Sequence, residues 1–541
     1  MANITRAQLI QQLRLPKRYD LAVIGGGATG LGIALQASLR GYSVLLLEAY
    51  DFAKGSSSRS TKLAHGGVRY LARGEIGMVR KALQGRAGLL EDIPHLAQAI
   101  PFVVPSYNWP DIGFYGLGLK LYEWLAGSRG LGKTAYLNAK AVLAHLPGLK
   151  ADGLRGGVKY IDGQFDDARF AINLARTAQK AGALLVNYCR VENFNYQDGK
   201  INGLLCTDAE SAETFLIQAA CVINATGVWV DALCQQDALF SNEKVSDLIT
   251  ASQGVHLVVD KEFLPSEHAL LIPDTRDKRM LFAIPWLGKI ILGTTDTPRT
   301  DMPQEPLAYE QEISFILTEA ARYLTRPPKR SDVRSVWVGL RPLVMKNKHQ
   351  QVATGKLSRD HFIGLSSTGL LTVTGGKWTT YKAMADDVLL HGIKSKLLHP
   401  EKISVDTAVT FMGCAQTGKP AVSLTLPQGI HLYGDEESSV NSLPGAEHWL
   451  LPGFSEAMVR FAARYEFART VEDVLARRSR WLFLDSKLAL SVAAEVADIL
   501  IDEGVSNAQL QEFQSLALKY LPAPLSSDPD NYETADGQPP G

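Results

Sequence analysis

The sequence predicts an α/β protein: a Rossmann-like nucleotide-binding domain assembled from discontinuous segments, an inserted α+β region, and a helical C-terminal domain. Three observations carry this prediction. Residues 21–48 read as strand, glycine turn, helix and strand. The helix–strand alternation returns at 167–188, and a further buried strand breaks at a glycine in "CVINATGVWVD", 221–231. Beyond about residue 401 the apolar spacing becomes that of helices alone, with Leu488, Val492, Val496 and Leu500 on one face.

The elements follow in order. Residues 1–18 hold Arg6, Arg14, Lys17 and Arg18 without an acid and without the apolar run of a secretory signal, so they read as an exposed or helical lead-in. The nucleotide-binding domain is placed at 19–400, interrupted by a substrate-binding insertion at about 70–160 and 235–345. Within it, 254–300 reads as short strands, 311–324 as helix, and 363–382 as strand, Gly-Gly turn and helix start. The helical cap is placed at 401–521. The tail 522–541, rich in Pro, Ser, Asp and Gly, reads as disordered.

Composition narrows the function. Lys plus Arg and Asp plus Glu each total 56 of the 541 residues, which argues against a general polyanion binder and makes nucleic acid a poor first guess. The five cysteines form neither C-x-x-C pairs nor clusters with histidine, so a reducing compartment and no metal site are expected. No apolar run is long enough to cross a bilayer. The aromatic stretch Trp109 to Leu125 has two readings: substrate-domain core, or a surface that dips into a membrane.

Gly25-Gly26-Gly27-Ala28-Thr29-Gly30 leaves a strand and opens a helix, the context in which G-x-G-x-x-G lets backbone approach a pyrophosphate at a helix N-terminus. Glu48 ends the second strand, where a carboxylate can accept hydrogen bonds from a ribose. NAD and FAD proteins share both features. Ala225-Thr226-Gly227 and Gly375-Gly376-Lys377 offer two further backbone approaches, which suits an extended cofactor held at several points along the chain.

The ordered set "GGGATG…LLLE", "SSSRSTKLAHGGVRYL", "NATGVWVD", "QGVHLVV", "IPW…ILGTTD", "GLRPL" and "GGKWTTY" closely resembles the FAD-dependent, respiratory glycerol-3-phosphate dehydrogenases. "FARTVEDVLARRSRWLFLD", 467–485, is similar to their helical cap. The resemblance implies FAD, oxidation of sn-glycerol 3-phosphate to dihydroxyacetone phosphate, and electrons passed to a membrane quinone. It also implies a peripheral position on the inner, cytoplasmic face of the membrane, against anionic lipid; a homo-oligomer stays open.

The resemblance places Ser58, Thr61, Lys62, Gly66 and Gly67 against the flavin, with Gly376, Lys377 and Thr379 closing it from another side, while Ser56 and Ser57 read as ordinary loop serines. Arg69, Tyr70, Arg341, Arg359 and Lys377 are implied to grip the substrate, since arginine forks suit a phosphate dianion. His256 is the first candidate for the base that takes the hydroxyl proton and His65 the second, with Arg341 and Lys377 stabilising developing charge. The direction of Arg59 is left open. The basic run 322–343 reads as a mostly solvated face with some contact to lipid headgroups, and Arg477, Arg478 and Arg480 as helix caps and surface pairs. Three other activities share part of this constellation: an oxidase using O2, an FAD amine or amino-acid oxidase, and a flavin-binding scaffold without catalysis.

Overall fold

The computed structural model describes residues 5–67, 74–277, 279–345, 360–400, 409–414 and 421–522. Its first sheet has eight strands. Five are parallel, in the order Leu370–Gly375, Thr214–Asn224, Arg18–Ile24, Val44–Leu47 and Leu184–Val186. The antiparallel strand His361–Leu365 closes one edge, and the hairpin Cys189–Gln197 with Lys200–Asp208 pairs with the first half of Thr214–Asn224. Val44–Leu47 is buried throughout, as expected for a parallel strand covered on both faces.

The helix Ala28–Leu39 packs between Asp167–Lys180 and Tyr381–Lys394. Asp166 caps Asp167–Lys180, accepting from the Arg169 amide, so this helix starts where the sequence places it. The strand that follows is shorter than the 183–188 read from sequence, because Tyr188 adopts positive φ and turns the chain.

A second sheet of ten strands draws on residues 63–165 and 249–344. Its long antiparallel pair, Ile249–Asp260 and Ser335–Val344, sets His256 opposite Trp337 and Ser252 opposite Arg341. That register decides the active site.

The lead-in forms a helix, Arg6–Arg14, with a capping box between Thr5 and Gln8. It buries Leu9, Ile10 and Leu13 and pairs Arg6 with Asp208 at the end of the hairpin and Arg14 with Glu213 in the turn that follows it. The C-terminal region is helical apart from the small hairpin Trp449–Leu451 with Phe454–Ser455. Its apolar residues join the same core as Ala28–Leu39, so the cap is packed on the nucleotide-binding domain rather than tethered to it. The predicted disordered tail lies, from residue 523, outside the described residues.

One reading of basic residues is corrected here. Arg477, Arg478 and Arg480 are fully buried, not surface groups. Arg477 and Arg478 both donate to Asp51; Arg477 also pairs with Glu472 and Asp473, and Arg480 lies 3.1 Å from Asp167. Local spacing cannot reveal this, because Asp51 and Asp167 lie more than 300 residues earlier in the chain. The run 322–343 is solvated as read, with Arg322 and Arg326 exposed, and its charges are locally paired: Arg322, Arg326, Arg330 and Arg334 lie beside Glu319, Glu262, Glu310 and Asp260.

Candidate active site

Strand Arg18–Ile24 ends between its two neighbours, at the point where strand order reverses, and a ligand crevice opens there in such sheets. Gly25 turns out of the strand with φ +108°, and a Cβ on it would meet the Ala225 carbonyl oxygen at 2.7 Å. A Cβ on Gly30 would sit 1.9 Å from the Gly25 oxygen. Both glycines therefore permit a close turn that no other residue allows. Gly27 is the N-cap of Ala28–Leu39 and offers no side-chain cap, so amides at this end stay directed outward, with Ala28 donating to Ser57 Oγ at 2.9 Å.

Glu48 is held by the Gly26 amide at 2.6 Å and the Tyr50 amide at 2.9 Å. Burial pushes its carboxyl up, and those two amides oppose the shift. Thr226 ties its hydroxyl back to Asn224 and thereby shapes the neighbouring Ala225–Gly227 turn.

From this turn a cavity of about 370 Å³ runs to the second sheet. Ala28, Thr29, Thr61, His65, Gly67, Gly227, His256, Arg341, Gly376, Lys377 and Thr379 all line it, so eleven of the residues selected from sequence meet in one place. Arg341 is braced: Nη1 donates to the carbonyls of Thr295 at 3.1 Å and Gln253 at 3.3 Å, and Nη2 to Thr294 Oγ1 at 3.2 Å. Asp296 lies 3.6 Å from the same guanidinium. The strand bearing His256 has Gly254 beside this fork, where a Cβ would approach Arg341 Nη2 to 2.2 Å.

His256 Nε2 is 3.0 Å from Thr61 Oγ1. Burial drives its pKa well below the ordinary imidazole range, helped by Arg341 and Lys62, so the ring is held neutral. Gly375 and Gly376 both take positive φ and deliver Lys377 to the cavity; Trp378 Nε1 then donates to the Ser57 carbonyl at 2.8 Å, tying this turn to the serine loop.

Three flavin-facing assignments are not met by the side chains. Lys62 points into the core, donating to Asp167 at 2.8 and 2.9 Å and to the Ser58 carbonyl at 2.7 Å. Its backbone has φ +62°, which turns residue 62 inward while Thr61 faces the cavity. Ser58 is buried behind the wall; Ser56 and Ser57, read as ordinary loop residues, are the ones that line it. Gly66 packs instead, its amide donating to Tyr122 Oη at 2.7 Å, and a Cβ on it would come within 2.6 Å of Leu83. Arg59 is buried in the cavity wall, paired with Glu305 at 2.6 Å. Arg69, Tyr70 and Arg359 lie outside the described residues.

Sequence reasoning missed Ser57, Arg279 and the Thr294–Asp296 turn, all of which line the cavity. The signal for the turn was present, since "ILGTTD" is a strand followed at once by hydroxyl and carboxylate residues.

The residues present fit FAD. The glycine cradle and helix N-terminus suit its pyrophosphate, Glu48 its ribose, and His256 Nδ1 and Thr379 Oγ1 are buried polar atoms lacking a protein partner in the wall that would face the ring.

Known proteins agree with this geometry. Residues 20–382 match the FAD dependent oxidoreductase family, and residues 430–509 match the C-terminal domain of alpha-glycerophosphate oxidase. The mitochondrial glycerol-3-phosphate dehydrogenase of Schizosaccharomyces pombe is 34% identical, the alignment covering 96% of this chain and 89% of the relative. The human mitochondrial glycerol-3-phosphate dehydrogenase is 36% identical over 95% of this chain and 74% of its own length. The crystal structure of the Bacillus halodurans glycerol-3-phosphate dehydrogenase complexed with FAD superposes with a TM-score of 0.75 at 28% identity, covering 96% of this chain and 99% of that one. With the glycine cradle, the braced arginine and the packed helical cap all in place, the chain belongs to the FAD-dependent glycerol-3-phosphate dehydrogenase family.

Proposed function

We propose that this protein oxidises sn-glycerol 3-phosphate to dihydroxyacetone phosphate and delivers the electrons to a membrane quinone. The observation that carries the first half is the meeting of Arg341 and His256 in one cavity that begins at the Gly25–Gly30 turn. FAD, when bound, supplies a two-electron acceptor for the hydride leaving the carbinol carbon. The rest is done by the chain. Arg341, fixed by two carbonyls and a threonine hydroxyl, presents a pre-oriented charge to the phosphate and needs little rearrangement to bind it. Neutral His256 takes the hydroxyl proton, with Thr61 Oγ1 as the nearest group able to relay it from Nε2. Lys377 adds positive charge where negative charge develops. Arginine, lysine and neutral histidine suit a phosphorylated alcohol better than an amine, which would be repelled.

The test is anaerobic addition of saturating glycerol 3-phosphate to the yellow holoprotein. Bleaching of the flavin absorbance is expected, and an unchanged spectrum refutes the activity. Turnover with a short-chain quinone, compared with peroxide yield under air, separates the quinone reading from the oxygen reading that the oxidase-type C-terminal match keeps in play.

The membrane half rests on one helix, Trp109–Ala126. Gly116, Leu119 and Tyr122 are buried, whereas Trp109, Phe114, Leu117 and Trp124 are 68–74% exposed. Phe114, Leu117, Leu121 and Trp124 follow helical spacing, so the exposed face is a continuous apolar stripe suited to lying in a lipid interface. Among the described residues no helix is long and apolar enough to cross a membrane. Replacing Phe114 and Trp124 together with serine is expected to weaken co-sedimentation with anionic vesicles by about tenfold or more. Equal partition of variant and wild type overturns the docking face. Peripheral attachment at the cytoplasmic side of the membrane fits the free cysteines and completes the reading.

A further inference from the structure

The antiparallel register places Trp337 directly across from His256. Their rings stack at 4.0 Å between centroids and 17° between planes, the close approach expected of facing residues on neighbouring strands. Trp337 is buried and lies outside the cavity wall, so the histidine presents itself to the cavity from a fixed aromatic shelf. The Lys62 ammonium sits 4.6 Å from the centroid of the same indole. Residues 61 and 62 therefore reach His256 from two directions, Thr61 by a hydrogen bond to Nε2 and Lys62 through the shelf.

We propose that Trp337 and Lys62 are positioning residues for His256: the indole fixes the imidazole plane, and the ammonium behind it disfavours a second proton on that ring. The inference rests on His256 being the base in the reading above.

The charges around His256 define how this works. From its partner strand comes Arg341, from the loop that carries Thr61 comes Lys62, and from the turn after the adjacent strand Asp296, which is engaged by Ser252 and lies 3.6 Å from Arg341. Behind Lys62 stand Asp167, Arg480 and Asp166, with Arg480 donating to Asp167 at 3.1 Å. Burial, followed by the Arg480 charge, pushes the Lys62 amine down to about 7 against the opposing pull of Asp167. Below that pH, where an imidazole would gain its second proton, Lys62 carries its full charge, and the two cations Lys62 and Arg341 then both oppose protonation of His256. The cap contributes directly: Arg480 keeps Asp167 paired, and Phe483 packs edge-on against Trp337 at 5.3 Å.

The experiment is the pH profile of kcat/KM for glycerol 3-phosphate, read on FAD-loaded Lys62→Met, Trp337→Leu and His256→Asn. In wild type the acid limb is expected well below the ordinary imidazole range. Lys62→Met should move that limb up by about one pH unit, the size expected for losing one charge near a buried ring. An unmoved limb overturns the role of Lys62. Trp337→Leu retains the lysine but removes the shelf, and should lower kcat by about tenfold or more with little change in KM. Wild-type kcat in that variant overturns the positioning role of Trp337, and it serves as the deciding measurement should Lys62→Met fail to fold. His256→Asn retaining wild-type turnover and its acid limb refutes the base assignment itself, and the support argument falls with it. A lost limb in His256→Asn beside an unmoved one in Lys62→Met separates the two failures.

Discussion

Arg341→Ala is expected to lower kcat/KM for glycerol 3-phosphate by about 100- to 1,000-fold while the protein stays yellow, the equivalent of about 3–4 kcal/mol of lost transition-state binding. The size follows from how the guanidinium is held. Thr295, Gln253 and Thr294 fix its plane, so its charge is pre-oriented and alanine removes both charge and geometry. Arg341→Lys should recover only part of the loss, because an ammonium cannot reproduce the braced fork. The flavin readout separates the roles: Arg341 is carried by the second sheet and the glycine turn by the first, so bound FAD per chain should equal wild type. Equal loss of flavin and activity would show that Arg341 belongs to the cofactor site instead.

Asp51→Ala should lower stability by about 3–5 kcal/mol, read as a fall in apparent Tm at a fixed scan rate and in the urea midpoint. Asp51 follows the Glu48 turn and is fully buried. It accepts from Arg477 and from both terminal nitrogens of Arg478, so its removal deprives two buried guanidiniums of their shared carboxylate, leaving Arg477 with Glu472 and Asp473 and Arg478 with the Glu466 carbonyl. Burial pushes the Asp51 carboxyl up, but the charges of Arg478 and Arg477 outweigh it and the net shift is downward. Because the folded pKa lies below the unfolded one, this stabilisation is complete above the ordinary carboxylate range and is lost as pH falls through the folded value. Glu472 acts with the same sign, drawn down to about 2 as Arg477 and Lys54 outweigh its burial. Wild-type Tm should therefore fall more steeply below about pH 4 than that of the variant. Parallel slopes would remove Asp51 from the acid-sensitive set.

Local geometry explains what could be read from the chain. The Gly25–Gly30 turn and Glu48 lie within one β-α-β unit, where spacing alone brings the helix start and the strand end together. Gly375-Gly376-Lys377 was legible for the same reason, as a strand end that opens a helix. His256 and Arg341 were found through motif resemblance, and only the register of two long strands shows that they share a cavity with Thr294 and Asp296. Lys62 shows the limit most clearly. It sits in a polar loop among cofactor contacts, yet one positive φ turns it into the core.

The sequence by itself determined the α/β class, the dinucleotide turn and the helical cap, because each depends on short periods or on residue types at fixed spacing. Only the tertiary structure decided which charges face the ligand and which are buried in pairs. Lys62 with Asp167, and Arg477 and Arg478 with Asp51, join segments separated by 105 to 427 positions. The cost of burying a charge is offset only by a partner at contact distance, and contact distance is a property of the folded chain rather than of spacing along it.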